Sequence, residues 1–142
     1  MSIEYLRLNN QAVIPVKNNF GYELFAPENL RLEPFKVKNL SFGFAFRAPN
    51  LINLGFKVLL NPALAASSIL CLDSFIPLHN LTEIKINLLN LFFDLNDMFK
   101  TASKDISSQL FGSDSSYVIK RNDSICTLLL KEYKDYTLKE IR

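Results

Sequence analysis

The chain has 142 residues, of which 49% are hydrophobic and 21% are charged. That length and apolar content suffice for one ordinary domain with a packed core, and they exclude an intrinsically disordered chain. Four glycines and six prolines are too few for collagen or a low-complexity linker. Twelve phenylalanines and no tryptophan predict a core built from Phe, Leu and Ile.

The charge balance argues against nucleic-acid binding. Sixteen Lys and Arg residues against fourteen Asp and Glu leave a formal net charge of +2, which is too small to attract a polyanion by charge alone. The basic residues are scattered, and Lys120 and Arg121 form the only adjacent pair. We therefore interpret them as solvated surface and expect no nucleic-acid partner.

The cysteines and the chain start bear on compartment and metal binding. Cys71 and Cys126 lie in apolar runs, where a thiol usually behaves as a small buried hydrophobe, and the sequence leaves open whether they form a disulfide. No signal-peptide pattern opens the chain and no apolar run reaches about 18 residues, so we expect an intracellular, reducing compartment and no membrane partner. One His and two distant Cys give no metal-ligand spacing.

Short extended runs dominate the first half of the chain. In one of them Phe42, Phe44 and Phe46 alternate, and they would share one sheet face with Leu40. Strands at this spacing favour a sandwich or a barrel. The predicted strands, each rich in Val or Phe and bounded by Asn, Pro or Gly, are Ala12–Val16, Tyr22–Pro27, Phe35–Phe46 and Leu54–Leu60.

The second half continues with extended runs at Ala66–Phe75, Glu83–Phe93 and Ser116–Tyr133. Within the last run, the residues from Arg121 to Asp123 lie between two β-prone stretches. Asn and Asp favour tight turns, so this pattern predicts a hairpin.

One segment, Asp94 to Leu110, shows helical periodicity instead. Asp94 or Asn96 could cap its start, and Gly112 is a plausible stop. An amphipathic helix inside a β domain either covers an open end of a sheet or binds a partner, and both interpretations stay open. Its apolar residues, spaced by three and four, are Leu95, Met98, Phe99, Ala102, Ile106 and Leu110.

Three blocks follow one another in an order that is more specific than any one of them. The first block contains three motifs, matched by Ala12 and Pro15 (A-x-x-P), Gly21–Leu24 (G-Y-D-L, with Glu23 for Asp), and Leu32 and Pro34 (I-x-P). The second block is Glu83–Leu91 (G-E-I-K-V-x-L-x-N), and the third is Tyr117–Leu130 (F-x-I-x-x-G-D-R-I-A-Q-L). Together these blocks resemble the trimeric dUTPase family.

The resemblance implies an all-β, jelly-roll-like domain of the dUTPase type over residues 1–142, with a helical insertion at 94–112 and a short tail at 133–142. It also implies a homotrimer with active sites between subunits. Enzymes of that family hydrolyse dUTP to dUMP and pyrophosphate with Mg²⁺, using a carboxylate to activate water and Arg, Gln and backbone donors to hold the triphosphate.

Most of the family's functional groups are missing at the matching positions. Ala63 stands where the phosphate motif has Arg, Ser124 and Thr127 replace the Arg and Gln of the last block, and the tail from Tyr133 to Arg142 contains no glycine. The vestigial substrate-binding positions are Pro62, Ala63, Ser67, Phe75, Asp123 and Thr127.

Three functions follow as hypotheses. The first is an inactive dUTPase-like viral accessory protein that needs no cofactor and binds an unidentified protein. The second is a divergent dUTP pyrophosphatase that uses Mg²⁺, with Asp73 and Glu23 as its catalytic carboxylates. The third is a viral structural or assembly protein with a jelly-roll fold. Without the resemblance, the sequence around Asp73 indicates a turn or cap residue, and the sequence around His79 indicates a loop residue.

Overall fold

A computed structural model describes residues 3–48, 53–92, 115–134 and 138–141 of the chain. The described residues are mainly β-strand. The elements are β1 (Glu4–Arg7), β2 (Val16–Lys17), β3 (Tyr22–Phe25), β4 (Leu30–Leu32), β5 (Val37–Arg47), β6 (Leu54–Leu60), α1 (Pro62–Ala66), β7 (Ile69–Cys71), β8 (Phe75–Pro77), β9 (Thr82–Asn90), β10 (Tyr117–Ile119) and β11 (Ser124–Glu132).

The strands of the described segments form three sheets with antiparallel pairing. One has four strands in the order β1-β5-β9-β7, the second has five in the order β2-β3-β11-β6-β8, and β10 and β4 form a small third sheet. Several neighbours are far apart in sequence, because β11 pairs with β3 and β1 pairs with β5. The all-β prediction is confirmed.

Phenylalanine rings connect the two larger sheets. The ring centroid of Phe46 in β5 lies 5.1 Å from that of Phe56 in β6, and Phe44 lies 5.4 Å from Phe46. Phe42 and Leu40 are buried with them, as the alternation in β5 predicts. Leucine and isoleucine side chains from both sheets fill the remaining core. Each such side chain stabilises the fold by about 1.5–3 kcal/mol, so the apolar core dominates the folding energetics.

A bulge in β5 depends on a glycine. The register between β5 and β9 shifts between Ser41 and Ala45, and Gly43 has φ +81°, a conformation that L side chains rarely adopt. A Cβ atom there would also lie 2.9 Å from the Asn9 amide nitrogen. The loop after β1 therefore packs against the backbone of the bulge.

A single buried amide joins the four-stranded sheet to the small sheet of β4 and β10. Asn90, at the end of β9, is fully buried, and its Nδ2 donates to the carbonyls of Leu32 and Ser115, each at 2.9 Å. Its Oδ1 accepts the Phe92 N–H at 2.9 Å, and its backbone carbonyl accepts the Phe35 N–H at 2.7 Å. The amide therefore links β9 to β4 and to the segment that leads into β10. Asn90 matches the final N of the Glu83–Leu91 block, but the sequence did not indicate that its side chain would be buried or which groups it would bind.

The predicted hairpin in the last run is wrong, although its turn exists. The Asp123 N–H donates to the Lys120 carbonyl at 3.0 Å, and Asn122 takes φ +73°. The strands on either side belong to different sheets, since β10 pairs with β4 while β11 pairs with β3 and β6. The turn also binds Ala26 through two backbone hydrogen bonds of 2.9 Å. It therefore carries the chain from one sheet to the next.

Two other predicted strands are shorter than expected. Only the end of the Ala12–Val16 run becomes strand, as β2, because Pro15 has no N–H for a ladder. The Ala66–Phe75 run begins as the end of α1 and then divides into β7 and β8. The helix follows from Asn61 at the N-cap and Pro62 in the first turn, a combination that favours a helix start.

Some predictions fall outside the described residues. These are the helical insertion at 94–112, including the amphipathic run from Asp94 to Leu110, and part of the tail at 133–142. Within the described part of the chain, no helix is long and apolar enough to cross a membrane.

We expect the substitution Asn90→Ala to lower the free energy of unfolding by about 3 kcal/mol, because it removes three hydrogen bonds that a fully buried side chain makes to Leu32, Ser115 and Phe92. The matched control is Asn87→Ala on the same strand, whose side chain makes one exposed bond to Asn39 and should cost under about 1 kcal/mol. Urea denaturation of both variants gives the comparison. Equal costs would contradict the linking role of Asn90.

Candidate functional site

The first and last matched sequence blocks meet where β3 pairs with the start of β11, beside the end of β6. Ser124 donates its hydroxyl to Glu23 Oε1 at 2.6 Å. Asn61, which follows β6, donates Nδ2 to the Ser124 carbonyl at 3.2 Å and its backbone N–H to the Ile125 carbonyl at 2.8 Å. Thr127 lies opposite Glu23 in the pairing of β3 and β11. The fold therefore brings Glu23 of the first block together with Ser124 and Thr127 of the last block, and Asn61 joins them.

Helix α1 carries the positions that match the phosphate motif. Asn61 Oδ1 accepts the Ala63 N–H at 2.9 Å. The Asn61 carbonyl accepts the N–H groups of Leu64 and Ala65. Pro62 has no N–H to offer. Ser67 donates its hydroxyl to the Ala63 carbonyl at 3.0 Å, which closes the other end of the helix. The donors of this short helix are satisfied within the helix.

Asp73 lies elsewhere, in the loop between β7 and β8. Its Oδ2 accepts the Asn87 N–H at 2.6 Å, so the carboxylate is bound to β9 of the four-stranded sheet. Its carbonyl accepts a hydrogen bond from the Cys71 thiol at 3.2 Å. Glu23 belongs instead to the five-stranded sheet. The two candidate carboxylates are thus held by different sheets and different partners.

Phe75, one of the vestigial substrate-binding positions, serves a packing contact. Its ring lies over Gly55 of β6, where an added Cβ would come within 2.1 Å of Phe75 Cζ. The ring also meets Tyr133 edge to face, with centroids 5.6 Å apart. Phe75 nevertheless stays 41% exposed.

The two remaining polar candidates take part in turns and loops. Asp123 Oδ2 accepts the Lys120 N–H at 2.9 Å and so completes its own turn. His79 is exposed, and its backbone N–H donates to the Thr82 hydroxyl. Among the residues that the structure describes, no group of three or more His, Cys, Asp or Glu side chains could hold a metal ion.

Arg121 has a role that sequence reasoning missed. Its guanidinium donates to the carbonyls of Pro27 and Gln11, and its backbone N–H donates to Asn29 Oδ1 at 2.8 Å. Arg121 is exposed, as the solvated-surface interpretation predicts, and its side chain also binds distant main chain. The partners are backbone carbonyls about 90 to 110 residues earlier, and no sequence pattern reveals such partners.

Both thiols are free in the structure. Cys126 in β11 is buried in the core, and burial strongly raises the pKa of its thiol because the thiolate would lose its hydration. Burial also raises the pKa of Cys71, which is half-buried. Cys126 therefore matches the predicted buried hydrophobe, while neither environment favours a nucleophilic thiolate.

Comparison with known proteins identifies the fold. No protein-family model and no curated protein matches the sequence. The structure is similar to a mutant dUTPase from phage phi11 of S. aureus, with a TM-score of 0.75, 18% identity and coverage of 99% of this chain and 97% of that one. It is also similar to the dUTPase of Staphylococcus bacteriophage 80alpha with dUPNHPP. That comparison has a TM-score of 0.75 and 18% identity, and it covers 99% of this chain and 88% of that one. The chain therefore has the dUTPase fold.

The stability of the protein should fall as pH rises above about 8.5, the usual pKa of a thiol in an unfolded chain. Folding holds Cys126 protonated, so its contribution is complete below that pH and is lost as pH rises towards the raised folded pKa. Each pH unit in that window costs about 1.4 kcal/mol for one such thiol.

The measurement is urea denaturation between pH 8 and pH 10. Cys126→Ala should make the decline with pH shallower than in the unmodified chain. The half-buried Cys71→Ala serves as the matched control and should change the decline less. An identical decline in the unmodified chain and Cys126→Ala would contradict the assignment.

Proposed function

We propose that this protein is a catalytically inactive member of the dUTPase fold that acts by binding another protein. The observation that carries the proposal is the state of the phosphate motif. Ala63 replaces the expected cation, and the N–H groups of α1 are already bound by Asn61. A triphosphate placed there would find no positive charge and no free backbone donor in the first turn of the helix.

The glycines support the same conclusion. An Arg-poor phosphate site would need a glycine-rich backbone cradle. Gly21 lies against β11, where an added Cβ would come within 2.1 Å of the Leu128 carbonyl oxygen, and Gly55 lies under Phe75. Gly43 forms the bulge in β5. All three glycines in the described residues thus serve packing or strand geometry.

The candidate carboxylates do not suit Mg²⁺-dependent hydrolysis. Mg²⁺ in such a site needs carboxylate oxygens beside substrate phosphates. Glu23 accepts from Ser124 and Asp73 accepts from Asn87, on separate sheets, and the described part of the chain holds no third acidic partner for either. These residues do not fit the ion, so we assign no catalytic step to it and propose that the protein acts without a cofactor.

A binding function is consistent with what this fold does elsewhere. Phage 80alpha dUTPases control the transfer of virulence genes by a proto-oncogenic G protein-like mechanism, so proteins of this shape serve regulation as well as hydrolysis. We propose a viral, intracellular accessory protein that forms a homotrimer and has neither nucleic acid nor membrane as partner. The insertion at 94–112 is the element we propose for partner contact.

Two alternatives are kept for the experiments. The similarity to phage dUTPases over 99% of the chain favours a divergent dUTP pyrophosphatase, in which Asp73 and Glu23 would be the catalytic carboxylates. A structural or assembly protein would use the same fold without a catalytic site and would form large particles.

We expect purified protein to release no pyrophosphate from dUTP in the presence of Mg²⁺ beyond a heat-denatured control, since the first turn of α1 offers the phosphates neither a cation nor a free N–H group. Asp73→Asn and Glu23→Gln are measured in parallel, because both amides retain an oxygen that can accept the bonds from Asn87 and Ser124. Pyrophosphate release at an enzymatic rate that is abolished in Asp73→Asn would replace this proposal with the pyrophosphatase.

The assembly state separates the remaining alternatives. A homotrimer should have a mass of about 49 kDa, three times the 16.2 kDa of one chain, in light scattering coupled to size-exclusion chromatography. Particles many times heavier would favour the assembly protein, and a monomer would contradict the trimer.

A further inference from the structure

The five-stranded sheet turns one face outward along β6. Phe56 and Val58 are buried in the core, whereas Lys57 between them is exposed. Lys57 lies in register with Leu129 of β11 and with Phe75 of β8. Residues in register share one side of a sheet, so all three side chains belong to the outer face.

A glycine gives the aromatic ring its place on this face. The Phe75 ring occupies the space over Gly55 that a side chain at that position would fill. Tyr133 continues the pairing of β11 with β6 by donating its N–H to the Asn53 carbonyl at 2.9 Å, and its ring meets Phe75 edge to face. Phe75 is therefore held from two directions while 41% exposed. A ring held in this way can contact a ligand with little further loss of side-chain entropy.

Two lysines lie beside this ring without a counter-charge. Lys131 is in register with Gly55, so it is the diagonal neighbour of Lys57, and such neighbours lie about 7–8 Å apart. Both lysines are exposed. Among the residues that the structure describes, neither has an acidic side chain within ion-pair distance. Because the two like charges repel each other, a carboxylate that bound between them would be attracted by both.

The excess of positive charge is specific to this part of the surface. On the four-stranded sheet, Arg47 and Lys85 each form an ion pair with a glutamate. The acidic residue that the strands of the five-stranded sheet place on the outer face is Glu23, which already accepts a hydroxyl hydrogen bond. Two strands and one side-chain repeat separate it from Lys57, which is about 12 Å. The charge at Lys57 and Lys131 is thus unmatched, although the whole chain has a formal net charge of only +2.

We propose that this lysine–aromatic surface, formed by Lys57, Phe75, Leu129, Lys131 and Tyr133, binds an acidic peptide segment of a partner protein. A carboxylate of that segment lies between the two lysines and supplies the counter-charge. A neighbouring apolar side chain of the segment covers the exposed ring of Phe75. The inference rests on the proposed binding function and specifies the chemistry of the partner, and it adds a contact surface to the insertion at 94–112.

The binding of a labelled pentapeptide, in which one phenylalanine stands between two pairs of glutamates, tests this proposal by fluorescence anisotropy at low ionic strength. Lys57→Gln combined with Lys131→Gln should weaken binding to the full chain about tenfold, because two charge contacts are lost together. The matched control is Lys36→Gln combined with Lys85→Gln, which removes the same net charge from lysines that glutamates already pair. It should leave the affinity unchanged, and equal losses in the two double variants would overturn the proposal.

Two altered peptides separate the two contacts without any change to the protein. Glutamine in place of the glutamates should remove the difference between the unmodified chain and the Lys57→Gln, Lys131→Gln variant. Serine in place of the phenylalanine should weaken binding severalfold, because the apolar contact with Phe75 is lost. An affinity that either change leaves as it was would overturn the proposal. The assay contains no dUTP, so its result and that of the pyrophosphate assay are independent.

Two other occupants of the surface would also overturn the proposal. Sedimentation of the chain with phosphatidylserine vesicles that is lost in the Lys57→Gln, Lys131→Gln variant would assign the lysines to a membrane. A mass of that variant below the mass of the unmodified chain in light scattering would assign them to a second copy. An equal mass and no sedimentation with vesicles support the peptide site.

Discussion

The requirement that a buried amide be fully hydrogen-bonded shapes the centre of this molecule. Asn90 has no contact with water, so its two N–H groups and its oxygen must find partners in the protein. They find them in Leu32, Ser115 and Phe92, which come from three stretches of chain. The apolar core supplies most of the folding free energy, but it would tolerate many arrangements of the sheets. The amide fixes one part of that arrangement, the position of the end of β9 against β4 and the segment that leads into β10.

Local patterns gave most of the strands, and they failed where partners are distant. The bounds of β6 and the buried phenylalanines of β5 follow from alternation and flanking turn residues, and the structure has them. The turn before β11 was also predictable, but the hairpin was not, because pairing with β3 or β10 is decided by the whole fold. Helix α1 could have been found, since Asn61 followed by Pro62 is a recognisable start.

The candidate site was predictable in composition but not in geometry. The order of the motifs indicated the fold, and in that fold Glu23, Asn61 and Ser124 meet, which the sequence analysis did not predict. Nothing in the sequence indicated that Asp73 would bind the backbone of Asn87, or that Arg121 would bind the carbonyls of Pro27 and Gln11. Such bonds join side chains to distant main chain, and main-chain partners leave no residue-type pattern.

The pairing of β3 with β11 has a consequence for how the chain folds. About one hundred residues separate Glu23 from its neighbours Ser124 and Thr127. Strand β6 also pairs with β11, which comes much later in the chain. Contacts of such long range make folding slow, since the loop entropy is lost before the contact is gained. During synthesis, β3 and β6 would expose unpaired edges until residues 124–132 emerge from the ribosome. The interval before β11 arrives is therefore when this chain is most exposed to aggregation.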